Sequence, residues 1–253
     1  MLYLARDFVQ EKMVGFNFFS VIVGFFAENF LPIMLDETQE GYIVEYDGFD
    51  LEMREAKHSS DIVGHDPLKG YFREVDFDNI DVVVDAGAYP GEFSIAAAKK
   101  GAKVIAPEPD PQNVEELKDN LALNGVENDV EVVEKGLWNR RTEKSFQRDK
   151  GIGMASRLDK DAEAKIQLDT LDNIVSDREK PDLVKMDIEG AEIEALDGCV
   201  QTIDEHNPIF EIATYHFRDG RRTYQDIERK LDNRGYDAST GYKNHLTTYG
   251  FPS

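Results

Sequence analysis

The chain has 253 residues, and 29 Lys plus Arg stand against 51 Asp plus Glu, for a formal net charge of −22 at pH 7. That length buries one substantial core with room for a small extension. The charge excludes partners held by a basic surface, nucleic acid and anionic lipid among them, since Arg140-Arg141 and Arg221-Arg222 make no broad stripe. The acids are spread along the chain rather than gathered in a tail, a whole-surface pattern that suits a salt-rich interior.

One cysteine, Cys199, leaves no intrachain disulfide and fits a reducing, cytoplasmic setting. His58, His65, His206, His216 and His245 are scattered, with no pair on one helix face, so a dedicated structural metal is not expected.

Residues 1–75 read as an N-terminal extension. Met13 to Ala27 (MVGFNFFSVIVGFFA) is apolar on nearly every side but shorter than the ~20 residues that cross a bilayer. Asp7 and Glu11 spoil a signal-peptide pattern. The segment suits either a buried helix packed on the domain or a helix lying on a membrane surface or partner. Glu28 to Gly41 reads as a connector. Leu51 and Met53 then alternate with Asp50 and Glu52 after Asp47-Gly48, the signature of a β-hairpin. Pro67 to Val75 is expected to form a short helix.

From residue 76 the pattern is that of a doubly wound α/β domain reaching the C-terminus. Val82 to Ser94 (VVVDAGAYPGEFS) is an apolar strand that ends at Asp85, turns through Gly87 and Gly91, and opens a helix to Lys100. G-x-G-x-x-G fails here, because Tyr89 and Glu92 occupy the later glycine positions, and no Gly-Lys-Ser/Thr follows. Asp85 and Glu92 disfavour a diphosphate. They suit a ligand with cationic groups and a ribose, such as S-adenosylmethionine. After Lys103–Ala106, a second strand, comes Glu108, 23 residues beyond Asp85. A carboxylate there can accept from both hydroxyls of a ribose, and the flanking Pro107 and Pro109 stiffen its loop.

Asp110 and Pro111 start a helix expected to run to Leu123 and stop at Asn124-Gly125. Val130–Val133 is the third strand. Gly136, Leu137 and Trp138 follow it, where an adenine could lie, although packing at the domain edge suits Trp138 better. Arg140 to Lys165 is the least regular stretch, with a loop expected around Gly151-Ile152-Gly153. Leu183–Met186 is the fourth strand, followed by Asp187, Glu189 and a helix closed by Gly198. Lys185, Asp187 and Glu189 are two apart, so an extended backbone would send them to one side. Pro208–Ile212 is the fifth strand, expected to deliver Glu211, Tyr215 and His216 to the sheet edge. Thr223 and Asp226 resemble a capping box, and Tyr236–Tyr249, broken by Gly241, suits a final antiparallel pair.

DAGAYPGEFS, PEPDPQNVEELKDN, TLD and KMDIEGAE, in this order, resemble the FkbM family of S-adenosylmethionine-dependent methyltransferases over Asp81 to Tyr215. The most specific part is Lys185 to Glu192, close to the family's K-x-D-x-E-G-A-E. The resemblance implies a seven-stranded class I methyltransferase (Rossmann-like) sheet with an antiparallel last pair, and O-methylation of a glycan, lipid-linked sugar or small metabolite. It implies that Asp85, Gly87 and Gly91 shape the methionine side of the cofactor site; Ala88, Tyr89 and Ser94 of the same turn are counted with them as cofactor-binding residues. Glu108 and Pro109 would serve the ribose, and Gly136 and Leu137 would border the adenine. Asp187 and Glu189 would lie near the transferred methyl, with Lys185 able to tune Asp187. His216 is the histidine best placed as a general base. The chain departs from the family at Tyr89-Pro90, where Asn-Ile is frequent, and at Pro107, where an aromatic residue is frequent. Two other readings are a cofactor-binding scaffold without activity and an NAD-dependent enzyme on a similar sheet.

Overall fold

A computed structural model describes residues 35–37, 41–46, 49–54, 67–147, 157–158, 164–242 and 245–253. The apolar segment 13–27, the Asp47-Gly48 turn and the loop at residues 151–153 lie outside these residues.

A small antiparallel sheet comes first, of β1 (Leu35–Glu37), β2 (Gly41–Tyr46) and β3 (Phe49–Arg54). The period-two pattern of β3 has the predicted consequence: Leu51 and Met53 are buried while Asp50 and Glu52 are exposed. This ribbon is part of the main core, because Leu51 and Met53 pack with Ala96, Leu117 and Leu121 of two helices described below. The Asn124 side chain ties it down by accepting from the Glu52 N–H at 3.0 Å and donating to the Glu52 carbonyl at 2.6 Å. A short helix, α1 (Pro67–Tyr71), leads on.

The central sheet is built from β4 (Val82–Ala86), β5 (Lys103–Pro107), β6 (Val130–Val133), β11 (Leu183–Met186), β12 (Ile209–Ala213), β15 (Tyr236–Gly241) and β16 (Thr247–Pro252). Its order is β15-β16-β12-β11-β4-β5-β6. The first five of these strands in chain order run parallel and β16 runs against β12. β4 is buried at every position because both sheet faces are covered. Val83 packs with α2 (Glu92–Lys99) and α3 (Pro111–Leu123). On the other face, Val82 and Val84 pack with α4 (Leu171–Val175), α5 (Glu192–Asp197), α6 (Val200–His206) and α7 (Tyr224–Asp232). The chain winds from β4 outward to β6, then returns to place β11 on the other side of β4. That reversal opens a crevice at the carboxyl ends of β4 and β11.

Several expectations need correction. The stretch read as irregular, Arg140 to Lys165, contributes β8 (Thr142–Gln147), β9 (Arg157–Leu158) and the start of β10 (Ala164–Asp169) to a second sheet that begins with β7 (Gly136–Leu137), in the order β7-β10-β8-β9. Its strands read as polar because one face is exposed: Lys165 and Gln167 of β10 face water while Ile166 and Leu168 pack under Trp138. The Thr223–Asp226 capping box does not form. Thr223 makes no side-chain cap bond, and Asp226 is taken by Arg221 and Arg229. Glu211 is not at the sheet edge, because β12 continues past it to Ala213, leaving it fully buried between Lys185 and Tyr249 in register.

Candidate functional site

The glycine turn after β4 is fixed from both neighbouring strands. The Gly87 N–H donates to the Pro107 carbonyl at 3.0 Å, and the Asp187 N–H donates to the Ala86 carbonyl at 3.0 Å. Gly87 has φ +75°, and a Cβ there would stand 1.9 Å from the Asp187 carbonyl oxygen, so no side chain fits. Gly91, at φ +119°, caps the start of α2. Ala88 is buried, and the Tyr89 hydroxyl donates to Glu116 at 3.2 Å.

Asp85 is wholly buried, and both its oxygens are engaged. Lys185 Nζ lies 2.8 Å from Oδ1, and Ser94 Oγ donates to Oδ2 at 2.6 Å. Lys185 Nζ also donates to the Gly87 carbonyl at 2.9 Å. Burial alone would lower the pKa of Lys185, but Asp85 and Asp187 reverse this and raise it. The structure therefore spends Lys185 on bracing the glycine turn. The buried ammonium and carboxylate cancel, which leaves no net cation to attract a diphosphate.

Glu108 lies just beyond β5 with 4% exposure. Its Oε1 accepts from the Asp110 N–H at 3.0 Å and the Asn113 amide at 3.2 Å. Burial pushes its pKa up to about 7, with the Asn113 bond and a backbone bond at Tyr89 acting in the other direction. Asp110 caps α3 through the Gln112 N–H at 2.9 Å. Pro109 lies against Gly136, where an added Cβ would meet its ring at 3.2 Å. The Leu137 side chain belongs to the core. Trp138 is a packing residue, buried against Ile166 and Leu168, with Lys144 Nζ 3.5 Å from its ring centre.

The other half of the site lies past β11 and β12. The backbone does not stay extended as the two-residue spacing suggested. β11 ends at Met186, and Glu189 and Gly190 turn at φ 57° and 92°. Lys185 and Glu189 consequently serve different ends of the site. Asp187 accepts from the Tyr71 hydroxyl at 3.0 Å and from the Tyr215 hydroxyl at 3.0 and 3.1 Å. His245 Nε2 is 3.5 Å away, and His216 Nε2 is 3.7 Å away. Burial opposes ionisation of Asp187, but His245, Lys185 and His216 outweigh it and hold the carboxyl well below the usual range. Both tyrosine pKa values are raised, chiefly by burial and then by Asp187, so these hydroxyls stay protonated donors.

His216 faces three carboxylates. Nε2 is 3.5 Å from Glu189 Oε2, and Nδ1 is 3.2 Å from Glu192 Oε1. Burial lowers its pKa, yet Glu189, Glu192 and Asp187 together raise it to about 10. Glu192 is fully buried and accepts from the N–H groups of Ile188 and Gly190, at 3.0 and 3.2 Å, which fixes the turn carrying Glu189. Arg218, from the hairpin β13 (Phe217–Arg218) and β14 (Arg221–Arg222), clamps Glu194 at 2.9 Å and the Gly190 carbonyl at 2.9 Å. Sequence reasoning missed Tyr71, Glu192 and His245 as members of this cluster. For Glu192 the signal was its place at the end of the KMDIEGAE motif. Tyr71 and His245 reach Asp187 only through long-range folding.

The residues present fit an S-adenosylmethionine-like ligand. Carboxylates stand at adjacent strand tips, the buried lysine is neutralised, and the turn has no room for a side chain. The sheet order, with its single antiparallel strand next to the last parallel one, defines the class I methyltransferase fold. A crystal structure of an FkbM methyltransferase from Methylobacillus flagellatus superposes with a TM-score of 0.51 and 21% identity. The match covers 79% of this chain but 56% of that one, so this chain spans little more than half of that protein's length. A precorrin-6y C5,15-methyltransferase from Geobacter metallireducens matches with a TM-score of 0.48 and 16% identity, over 74% of this chain and 86% of that one. No curated protein sequence matches significantly. Residues 85–238 match the methyltransferase FkbM domain, and the chain belongs to that family.

Proposed function

We propose that this chain is an O-methyltransferase whose acceptor is a glycan, a lipid-linked sugar or a small metabolite. The reading is carried by Asp187, Glu189 and His216, which gather beside the glycine turn, at the mouth of the crevice between β4 and β11. Bound in that crevice, S-adenosyl-L-methionine supplies a methyl group already activated by its sulfonium. The chain then has to hold the cofactor, align an acceptor oxygen and receive a proton. Asp85, Gly87, Ala88, Tyr89, Gly91 and Ser94 are assigned to the methionine end, Glu108 with Pro109 to the ribose, and Gly136 and Leu137 to the adenine.

Asp187 is a poor proton acceptor, because two tyrosine hydroxyls already occupy its oxygens. It orients the site instead. Glu189, whose pKa burial raises, is the group assigned to take the acceptor's proton; His216, 3.5 Å from it and expected from the sequence as the base, is held protonated by its three carboxylates and orients Glu189 instead. Alignment supplies several kcal/mol of such a barrier, and a positioned base contributes about 10²–10⁴-fold.

Thermal unfolding with S-adenosylhomocysteine and with NAD tests the cofactor assignment. The former is expected to stabilise by roughly 2.7 kcal/mol at ~100 times its dissociation constant, and the latter not at all. The reverse pattern overturns the reading. Labelled methyl transfer into fractionated cell extract, lost in Asp187→Ala, then identifies the acceptor. Mild alkali separates a methyl ester, which it cleaves, from a methyl ether, which it does not. For a lipid-linked acceptor, residues 13–27 are assigned to docking at a membrane surface. Among the described residues no helix is long and apolar enough to cross a membrane. Recovery of the whole protein in the soluble fraction at both low and high salt would argue against that docking.

A further inference from the structure

Asp187, Glu192 and His216 each place a ligand-type atom within 4.8 Å of the other two. They come from the end of β11, the start of α5 and the segment after β12, which is why scattered histidines in the sequence gave no hint of such a group. Glu192 is fully buried, and while its Oε1 caps the turn, its Oε2 has no hydrogen-bond partner among the described residues. An unsatisfied buried carboxylate oxygen is costly and calls for a partner. The ring nitrogens of His216 lie 3.2–3.7 Å from oxygens of Glu192, Glu189 and Asp187, yet none of these contacts has hydrogen-bond geometry. Nitrogen and oxygen ligands of one ion, each about 2.1 Å from it, stand roughly 3.0–3.4 Å apart with the ion off the line between them. Nδ1 of His216, 3.2 Å from Glu192 Oε1, has that spacing, while the approaches of Asp187 at 3.7 Å and Glu189 at 3.5 Å are to Nε2.

We propose that this seat binds a divalent first-row transition metal ion through one oxygen each of Asp187 and Glu192 and one nitrogen of His216. A mixed imidazole and carboxylate set favours Mn²⁺ or Zn²⁺ over Ca²⁺. Three protein ligands leave a position open, with Glu189 at its rim. Resting on the methyltransferase reading for its purpose, that open position takes the acceptor's hydroxyl, and the ion acidifies it for attack on the methyl group. The hydroxyl proton passes to Glu189 or to water, and the new bond forms between acceptor oxygen and methyl carbon as the carbon–sulfur bond breaks.

The test is Mn²⁺ titration of the metal-stripped full chain, followed by loss of the free-ion paramagnetic resonance signal. About 0.5 M KCl suppresses diffuse binding to so acidic a surface. The expected result is one ion per chain, with affinity at least about tenfold weaker in His216→Ala and in Glu192→Gln and unchanged in Glu127→Gln, an exposed acid away from the seat. Glutamine at 192 keeps an oxygen for the two backbone donors, so this variant separates ligation from folding. The S-adenosylhomocysteine shift, measured on the same samples, reports the methyltransferase reading independently. Absence of bound Mn²⁺ and Zn²⁺ at about 1 mM, where a dissociation constant corresponds to ~4 kcal/mol, overturns the proposal. Binding that survives both His216→Ala and Glu192→Gln does the same.

Discussion

Lys185 and Glu108 are the residues whose burial most constrains what the site can do. In Lys185→Met, Asp85 loses its counter-ion while keeping 0% exposure. Breaking a buried pair by removing one partner costs about 3–5 kcal/mol, whereas removing both charges costs far less. Chemical denaturation should therefore show Lys185→Met strongly destabilised and Lys185→Met/Asp85→Asn partly restored; a single variant within 1 kcal/mol of wild type would contradict the pairing. Glu108 makes a pH-dependent contribution. Its folded pKa is raised from 4.5 to about 7, so the folded state holds this proton longer than the unfolded chain. The associated stability is fully present below pH 4.5 and is lost as pH rises through about 7. At ~1.36 kcal/mol per unit this is on the order of 3 kcal/mol. Glu92 shifts in the same direction, so the slope belongs to Glu108 only as the difference from Glu108→Gln. If ribose hydroxyls bind the ionised carboxylate, cofactor binding at pH 6 releases a proton. Calorimetry in buffers of different ionisation enthalpy should detect that release, and Glu108→Gln should abolish it.

Among the elements, two helix starts that look alike in sequence are expected to behave differently. Asp110 accepts the Gln112 N–H and is buried, so Asp110→Ala should cost about 1 kcal/mol or more. Thr223 makes no cap bond, and Thr223→Ala should stay within about 0.5 kcal/mol of wild type. Equal losses at the two positions would show that the Thr223 cap forms in solution. The contrast also marks how far the sequence was legible. β4, β5, β11 and their acids could be read because each is a short apolar run that meets its chemistry at the carboxyl end, where turn glycines and prolines fix position locally. Asp110 with Pro111 was legible for the same reason. Thr223 was not, because Arg221 and Arg229 compete for Asp226 across the turn. β8 and β10 were missed because their pairing crosses residues 148–163, and one-sided exposure gives them a polar cast. Nor could local spacing reveal that Tyr71, 116 residues before Asp187, donates to it.

At the scale of the whole molecule, the net charge of −22 acts on every part of the fold at once. The surface ion pairs, such as Lys118–Glu134 and Lys165–Glu143, are well exposed and each contributes little. Acids outnumber bases, so most of the long-range interaction is repulsive and favours expansion of the chain. Salt weakens both terms, but it weakens the larger one more in absolute energy. The Debye length falls from ~10 Å at 0.1 M to ~3 Å at 1 M. Buried pairs such as Lys185–Asp85 are hardly screened, so the attractive electrostatics of the site persist as the surface repulsion fades. The melting midpoint should therefore rise between 0.1 and 2 M KCl, by roughly 2–4 °C for each kcal/mol of repulsion relieved in a chain of this size. Potassium chloride is the appropriate salt, because sulfate would add a stabilisation of apolar burial that has nothing to do with charge. A flat or falling midpoint would mean that the surface pairs, not the excess of acids, dominate the electrostatic energy of this fold.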